Sequence, residues 1–283
     1  MVLEAMIRAE DAENFPERML LVGFFYASLG LLLAELFFGS YSSLSAIFIT
    51  TIPLIIIIYD VMKIEETKDL KLWKETSRLR EHERAIFLFI FLFLGMTIAY
   101  GFWFTLLPKE IGENLFSFQI EILKSITKKP VGYATHNINE VYSIISNNLI
   151  VLFACILFSF LYGAGAIFIL TLNASVVGIA IGDLVRNSIA MYAGKSDIEF
   201  LSQYFSSFSM SFCFVIAHGI LEMVGYFSGA LAGGIISFAV INHDFRSKDF
   251  LRIVIDSVDL ILLSILLIII AGFVEVYITP LIC

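Results

Sequence analysis

Charge is scarce in this chain, and what there is leans acidic: 16% of the 283 residues are Asp, Glu, Lys or Arg, and the formal net charge is −8. Nucleic-acid binding needs cations clustered on an accessible face, so that class of partner is excluded. Cysteine is scarcer still. Cys155, Cys213 and Cys283 are unclustered, and two of them fall inside apolar runs, which argues against both a disulfide framework and a thiolate metal site. The opening segment, MVLEAMIRAEDAENFPER, has no apolar stretch of the kind a secretory signal carries, so the first apolar segment is expected to stay in the protein. No sizeable soluble domain is visible, and nothing marks a hydrolase. No cofactor is implied.

What the chain has in abundance is hydrocarbon: 59% of its residues are hydrophobic. Apolar runs of about 20 residues recur along it, each long enough to cross a ~30 Å hydrocarbon core as a helix. A transmembrane barrel would show ~10-residue alternating segments. Runs such as LILLSILLIIIAGF do not alternate. The fold class is therefore all-α, a polytopic transmembrane helical bundle of about six to seven spans, with residues 1–283 forming a single integral membrane domain.

The expected spans are about 19–38, 42–61, 85–107, 144–162, 165–187, part or all of 204–241, and 254–278. The polar turn GSYSS joins the first two as a hairpin. Residues 62–84 form a mixed-charge block rich in Lys and Arg, and Arg246, Lys248 and Arg252 follow the 204–241 run. The positive-inside rule places both loops, together with residues 1–18, in the cytoplasm. The polar stretch 108–143 then lies outside. Within it Phe116, Ile120, Leu123 and Ile126 fall on one helical stripe, which predicts a helix lying in the interface or capping the bundle. Asp256 and Asp259 are read as charges near the start of the last helix.

The run 204–241 is too long for a straight span, since its 38 residues would extend ~57 Å as a helix. Two arrangements fit: two full spans with a tight turn, or a broken, re-entrant helix followed by one complete span. Basic residues on both flanking loops favour the second, with the break near His218 and Gly219.

Ionisable residues in hydrocarbon cost several kcal/mol, roughly 3 on insertion scales, and are kept where they pair or act. His218 and Glu222 are four apart and share a helix face. Asn173, Asp183 and Arg186 lie on the fifth segment, Glu35 on the first and Glu275 on the last. These residues form either a satisfied structural network or a polar path. Intramembrane catalysis is a third reading, but the second histidine of a metalloprotease helix is missing. A metal would need third and fourth ligands that the sequence does not place near His218 and Glu222, so no metal site is expected. Gly225, Gly229 and Gly233 line one helix face, and Ala174, Gly178 and Gly182 line another. These two faces are expected to cross in close contact, although a glycine face serves a homo-oligomer as readily.

Asn173 within TLNASVVGIAIG, then HGILEMVGYFSGALAGG, then GFVEVYITP form an order that resembles the stage II sporulation protein M family of integral membrane proteins. The resemblance is best over about 144–280. It identifies His218, Gly219 and Glu222 with the family's central motif, Asn173 with its upstream asparagine and Glu275 with its terminal acid. Ala217 stands where that motif has proline, which leaves the helix break to Gly219 alone. The resemblance implies a membrane partner of a cell-wall-degrading complex in spore formers, and a scaffold rather than an activity elsewhere. The expected function is thus a non-enzymatic scaffold or recruiter in the cytoplasmic membrane, whose partners are the lipid bilayer and other membrane or envelope proteins. The alternative is a channel or transporter for ions or a small solute, with His218, Glu222, Asn173 and Glu275 lining its path.

Overall fold

The computed structural model describes residues 12, 14–71, 82–127, 138–162, 165–192, 197–243 and 246–282, with the side chains of 68–71, 125–127, 162, 188, 190–192 and 197–217 outside that set. Much of the basic block at 72–81, the turn at Gly163 and Ala164, and the side chain of Cys213 therefore lie outside the described residues. Among those described there is no strand. The helices are α1 (Arg18–Phe38), α2 (Ser42–Lys71), α3 (Glu83–Leu106), α4 (Lys109–Leu115), α5 (Ser117–Thr127), α6 (Ile138–Tyr162), α7 (Ala166–Tyr192), α8 (Asp197–Asn242), α9 (Lys248–Phe273) and α10 (Thr279–Ile282), with a π-helical turn at Val274–Ile278.

Among the described residues six helical stretches are long and apolar enough to cross a membrane, and the first comprises both α1 and α2. A 3-10 turn at Gly39–Tyr41 divides that stretch, and Gly39 takes a φ of +50°, a conformation that favours glycine. The two helices then run back along each other as the expected hairpin. Leu107 is extended before Pro108, which ends α3 as the residue before a proline should. Helix α9 starts earlier than its apolar run: Ser247 is its N-cap, accepting a hydrogen bond from the Phe250 amide at 3.0 Å. Asp256 and Asp259 consequently lie about two and three turns inside the helix and are not first-turn charges. Asp249 holds that place.

Hydrogen bonds sort the helix ends onto two faces. On one, His82 pairs with Glu65 at 2.5 Å, His243 with Glu66 at 2.8 Å, and Arg84 donates to Asn14 at 3.2 Å. On the other, Asn114 donates to the Gly39 carbonyl at 3.2 Å, and Arg186 donates to the carbonyls of Phe104 and Leu107 at 2.6 Å each. The described ends of the 62–84 and 242–252 loops, at Glu65, Glu66, His82 and His243, thus share a face, as expected from their charge. Helix α5 caps the opposite face: Phe116, Ile120 and Leu123 pack on the core, while Gln119 accepts from Ser43 at 2.8 Å and donates to Ser175 at 3.3 Å.

The break expected near His218 is absent. Helix α8 runs unbroken through Ala217, His218 and Gly219 for 46 residues. Without proline every amide stays available to the helix, and an interior glycine costs only ~1 kcal/mol relative to alanine. Within α8 the membrane-crossing stretch among the described residues is His218–Asn242, the most enclosed of the spans. Its core partners include Phe89 and Phe93 of α3, whose rings lie 5.7 and 5.8 Å from that of Phe227.

The two glycine faces do not meet each other. Gly178 and Gly182 abut α3, where an added Cβ would lie 2.6 Å from the Thr97 carbonyl and 2.9 Å from that of Gly101. Gly225 faces Ser264 and Ile268 of α9, and Gly229 and Gly233 face Leu152, Ile156 and Ser159 of α6. Spacing fixes which residues share a face but leaves the facing helix open. Among the described residues nothing lies within 4 Å of a Cβ added at Gly219, so it packs against none of them.

Alanine substitution separates these cases. At Gly233 the new Cβ would sit 2.6 Å from the Ile156 carbonyl, and Gly233→Ala is expected to destabilise the bundle by about 1–3 kcal/mol. Gly219→Ala should be neutral or stabilising by up to about 1 kcal/mol. Thermal unfolding of the two variants in one detergent checks the contrast, and equal melting temperatures would contradict it.

Candidate functional site

Helical geometry supplies the first half of the site. His218 and Glu222, one turn apart on α8, project to the same side. The second half comes from the far end of the chain. Glu275 lies just beyond α9 in the π-helical turn, and one ligating atom from each of His218, Glu222 and Glu275 lies within 4.8 Å of the others. All three side chains are half-buried. The third ligating group, which sequence spacing did not provide, is brought in by α9.

The π-helical turn lies just before a proline. Pro280 lacks an amide hydrogen and so cannot donate to the carbonyl four residues back. The register widens instead: the amide of Thr279 reaches the carbonyl of Val274, and the Thr279 hydroxyl donates to the same oxygen at 3.0 Å. Such turns are rare and concentrate at functional sites.

A third helix completes the surroundings. The Asn148 amide nitrogen, on α6, donates to Glu222 Oε1. Asn148 is buried, and its bond fixes the carboxylate between α6 and α9. Tyr226, one turn beyond Glu222 and also buried, lies within electrostatic range of Glu222, Glu275 and Cys155. Among the described residues no Lys or Arg forms an ion pair with either glutamate. The cluster is therefore two carboxylates, an imidazole and an amide in a largely apolar setting, a donor set able to hold a divalent cation or to share protons. It lies towards the end of the span away from the basic loops, since 24 residues of α8, ~36 Å, separate His218 from Asn242.

The other polar residues singled out in the sequence fall elsewhere. Arg186 closes the C-terminal end of α3 through its two carbonyl bonds and stacks over Phe104 at 4.7 Å, as a cation at a helix C-terminus should. Asp183 is exposed and accepts from Asn187 at 3.0 Å. Glu35 is half-buried near the Gly39 turn, and no described contact joins it to His218. Asn173 is half-buried in α7, its amide nitrogen enclosed without a partner among the described residues. Neither belongs to the cluster. Two groups went unread: Asn148, whose signal was a pair of asparagines, Asn147 and Asn148, inside an apolar run; and the Glu65/His82 and Glu66/His243 pairs, which the charged loop concealed.

A sequence profile described as stage II sporulation protein M matches residues 85–280. The chain belongs to the stage II sporulation protein M family. That match covers α3 to the last turns, so every member of the His218, Glu222, Glu275 and Asn148 cluster lies within the family region. An uncharacterized protein of Methanocaldococcus jannaschii is 30% identical over 171 residues, which cover 59% of this chain and 86% of that protein. No solved structure matches. The family assignment agrees with the helical membrane architecture and leaves α1 and α2 outside the matched region.

Cross-linking tests the juxtaposition directly. In a chain whose native cysteines are replaced, cysteines at 222 and 275 should be joined by a short bifunctional thiol reagent, whereas cysteines at 35 and 222 should not. Failure of the first pair to react in folded protein would separate Glu275 from the site.

Proposed function

We propose that this member of the stage II sporulation protein M family is a non-enzymatic membrane scaffold, which holds or recruits other membrane or envelope proteins in the cytoplasmic membrane with the 62–84 and 242–252 loops in the cytoplasm. The observation that supports it is the filling of the bundle axis. The spanning half of α8 is closed in by side chains and backbone from α2, α3, α6 and α9: Phe227 lies among phenylalanine rings, Gly233 lies against the Ile156 backbone, and Gly234 lies against Met62. An axis occupied in this way favours a rigid platform over a solute path. The family's description carries the word sporulation, and a partner role within an assembly is in keeping with a chain that has no large soluble domain in the sequence given.

A scaffold and a conductor differ in two measurable ways. Wild type and Glu222→Gln in proteoliposomes should both leave proton and alkali-cation flux at the level of protein-free vesicles. Flux that Glu222→Gln abolishes would overturn the proposal. In native membranes, cross-linking should trap the wild-type chain in discrete complexes that Gly233→Leu forms poorly, and a chain that links to no other protein would count against recruitment.

A further inference from the structure

We propose that His218, Glu222 and Glu275 bind a divalent transition-metal ion of the zinc class, clamping the start of the α8 span to the turn after α9. The site is independent of the scaffold reading and stands on geometry. Three ligating atoms, one per residue, lie within 4.8 Å of one another. For any triangle with sides no longer than that, some point lies within about 2.8 Å of all three corners. Zinc bonds to imidazole nitrogen and carboxylate oxygen are about 2.0–2.2 Å long, so closing the site needs each donor to move inward by under about 1 Å, within the reach of side-chain rotation.

Charge argues in the same direction. Two carboxylates brought together in a half-buried, apolar place repel each other and lose hydration, and no Lys or Arg among the described residues forms an ion pair with them. A dication neutralises both at once while the imidazole adds a neutral donor. The donor set also sets the class of ion. Imidazole with carboxylates suits first-row divalent metals, whereas magnesium and calcium prefer all-oxygen shells.

The surroundings hold the donors in place. Asn148 donates to Glu222, the kind of outer bond that orients a ligating carboxylate. Glu275 sits in the π-helical turn just before Pro280, a rare widening of the backbone that is frequent at functional sites. Helices α6, α8 and α9 thus all contribute, and three protein ligands leave a fourth position for water.

The test uses the full chain in detergent or nanodiscs, stripped with chelator and exchanged into metal-free buffer. Adding Zn2+ should give one ion per chain and raise the melting temperature. Co2+ should give the visible absorption of a low-symmetry nitrogen and oxygen site, and Zn2+ should bleach it; Mg2+ and Ca2+ should do neither. Glu275→Gln and Glu222→Gln should each weaken Zn2+ binding at least 10-fold, whereas His243→Gln, at the opposite face, should leave it unchanged. If the glutamine variants fail to fold, the Co2+ spectrum of wild type still decides the matter. Folded wild type that takes up neither Zn2+ nor Co2+ overturns the proposal, as does Zn2+ binding that survives both glutamine substitutions.

Discussion

Lipid offers no hydrophobic force to press one apolar helix against another, so the bundle depends on how closely its backbones can approach. The glycines mark those approaches. Gly178 and Gly182 let α7 sink onto α3 at Gly101; Gly229 and Gly233 let α8 sink onto α6; Gly225 does the same for α9. Each approach trades side-chain volume for many short-range contacts, which are individually weak and collectively decisive. The enclosure of α8 follows from this, because three of its glycines serve two different neighbours. Dispersion holds most of the middle of the membrane, with a buried Thr50/Tyr100 hydrogen bond at 3.2 Å among it, and further hydrogen bonds hold the ends.

The polar groups divide by the same logic. At the basic-loop face, histidine and glutamate pair as Glu65/His82 and Glu66/His243, with Glu65, Glu66 and His82 buried, and tie α2 to the start of α3 and the end of α8. Arg186 ties α7 to α3 at the other face through carbonyls that the end of α3 leaves without helical partners. The cluster of His218, Glu222 and Glu275 differs in kind. Its members sit on elements whose packing is already secured elsewhere, so their proximity is not needed to join those elements. Polar groups collected without that need are where function is sought.

The architecture was largely legible in the sequence because apolar runs report helices directly. GSYSS announced the hairpin, Pro108 announced the end of α3, and cations at 62–84 and 242–252 announced a shared face, which the Glu66/His243 bond bears out. The helix break was misread because an interior glycine such as Gly219 weakens a helix without ending it. The partners of the glycine faces were misread because Gly101, facing Gly178, is a single glycine whose four-spaced companions, Thr97 and Thr105, are threonines and not glycines. At the site, His218 and Glu222 follow from four-residue spacing, and the family resemblance pointed to Glu275. That Glu275 meets them depends on how α8 and α9 pack, which no local pattern encodes. Asn173 shared the resemblance but not the cluster.

The sorting of helix ends carries one more implication. Counting α1 and α2 separately, the spanning helices among the described residues are odd in number, so the first begins and the last ends at opposite faces of the bundle. An odd set cannot be divided into two equal halves related by rotation about an axis in the bilayer plane, the symmetry that lets many carriers present one site to either side in turn. This bundle has a built-in polarity: its ion-pair face and its His218 face are chemically different ends of one object.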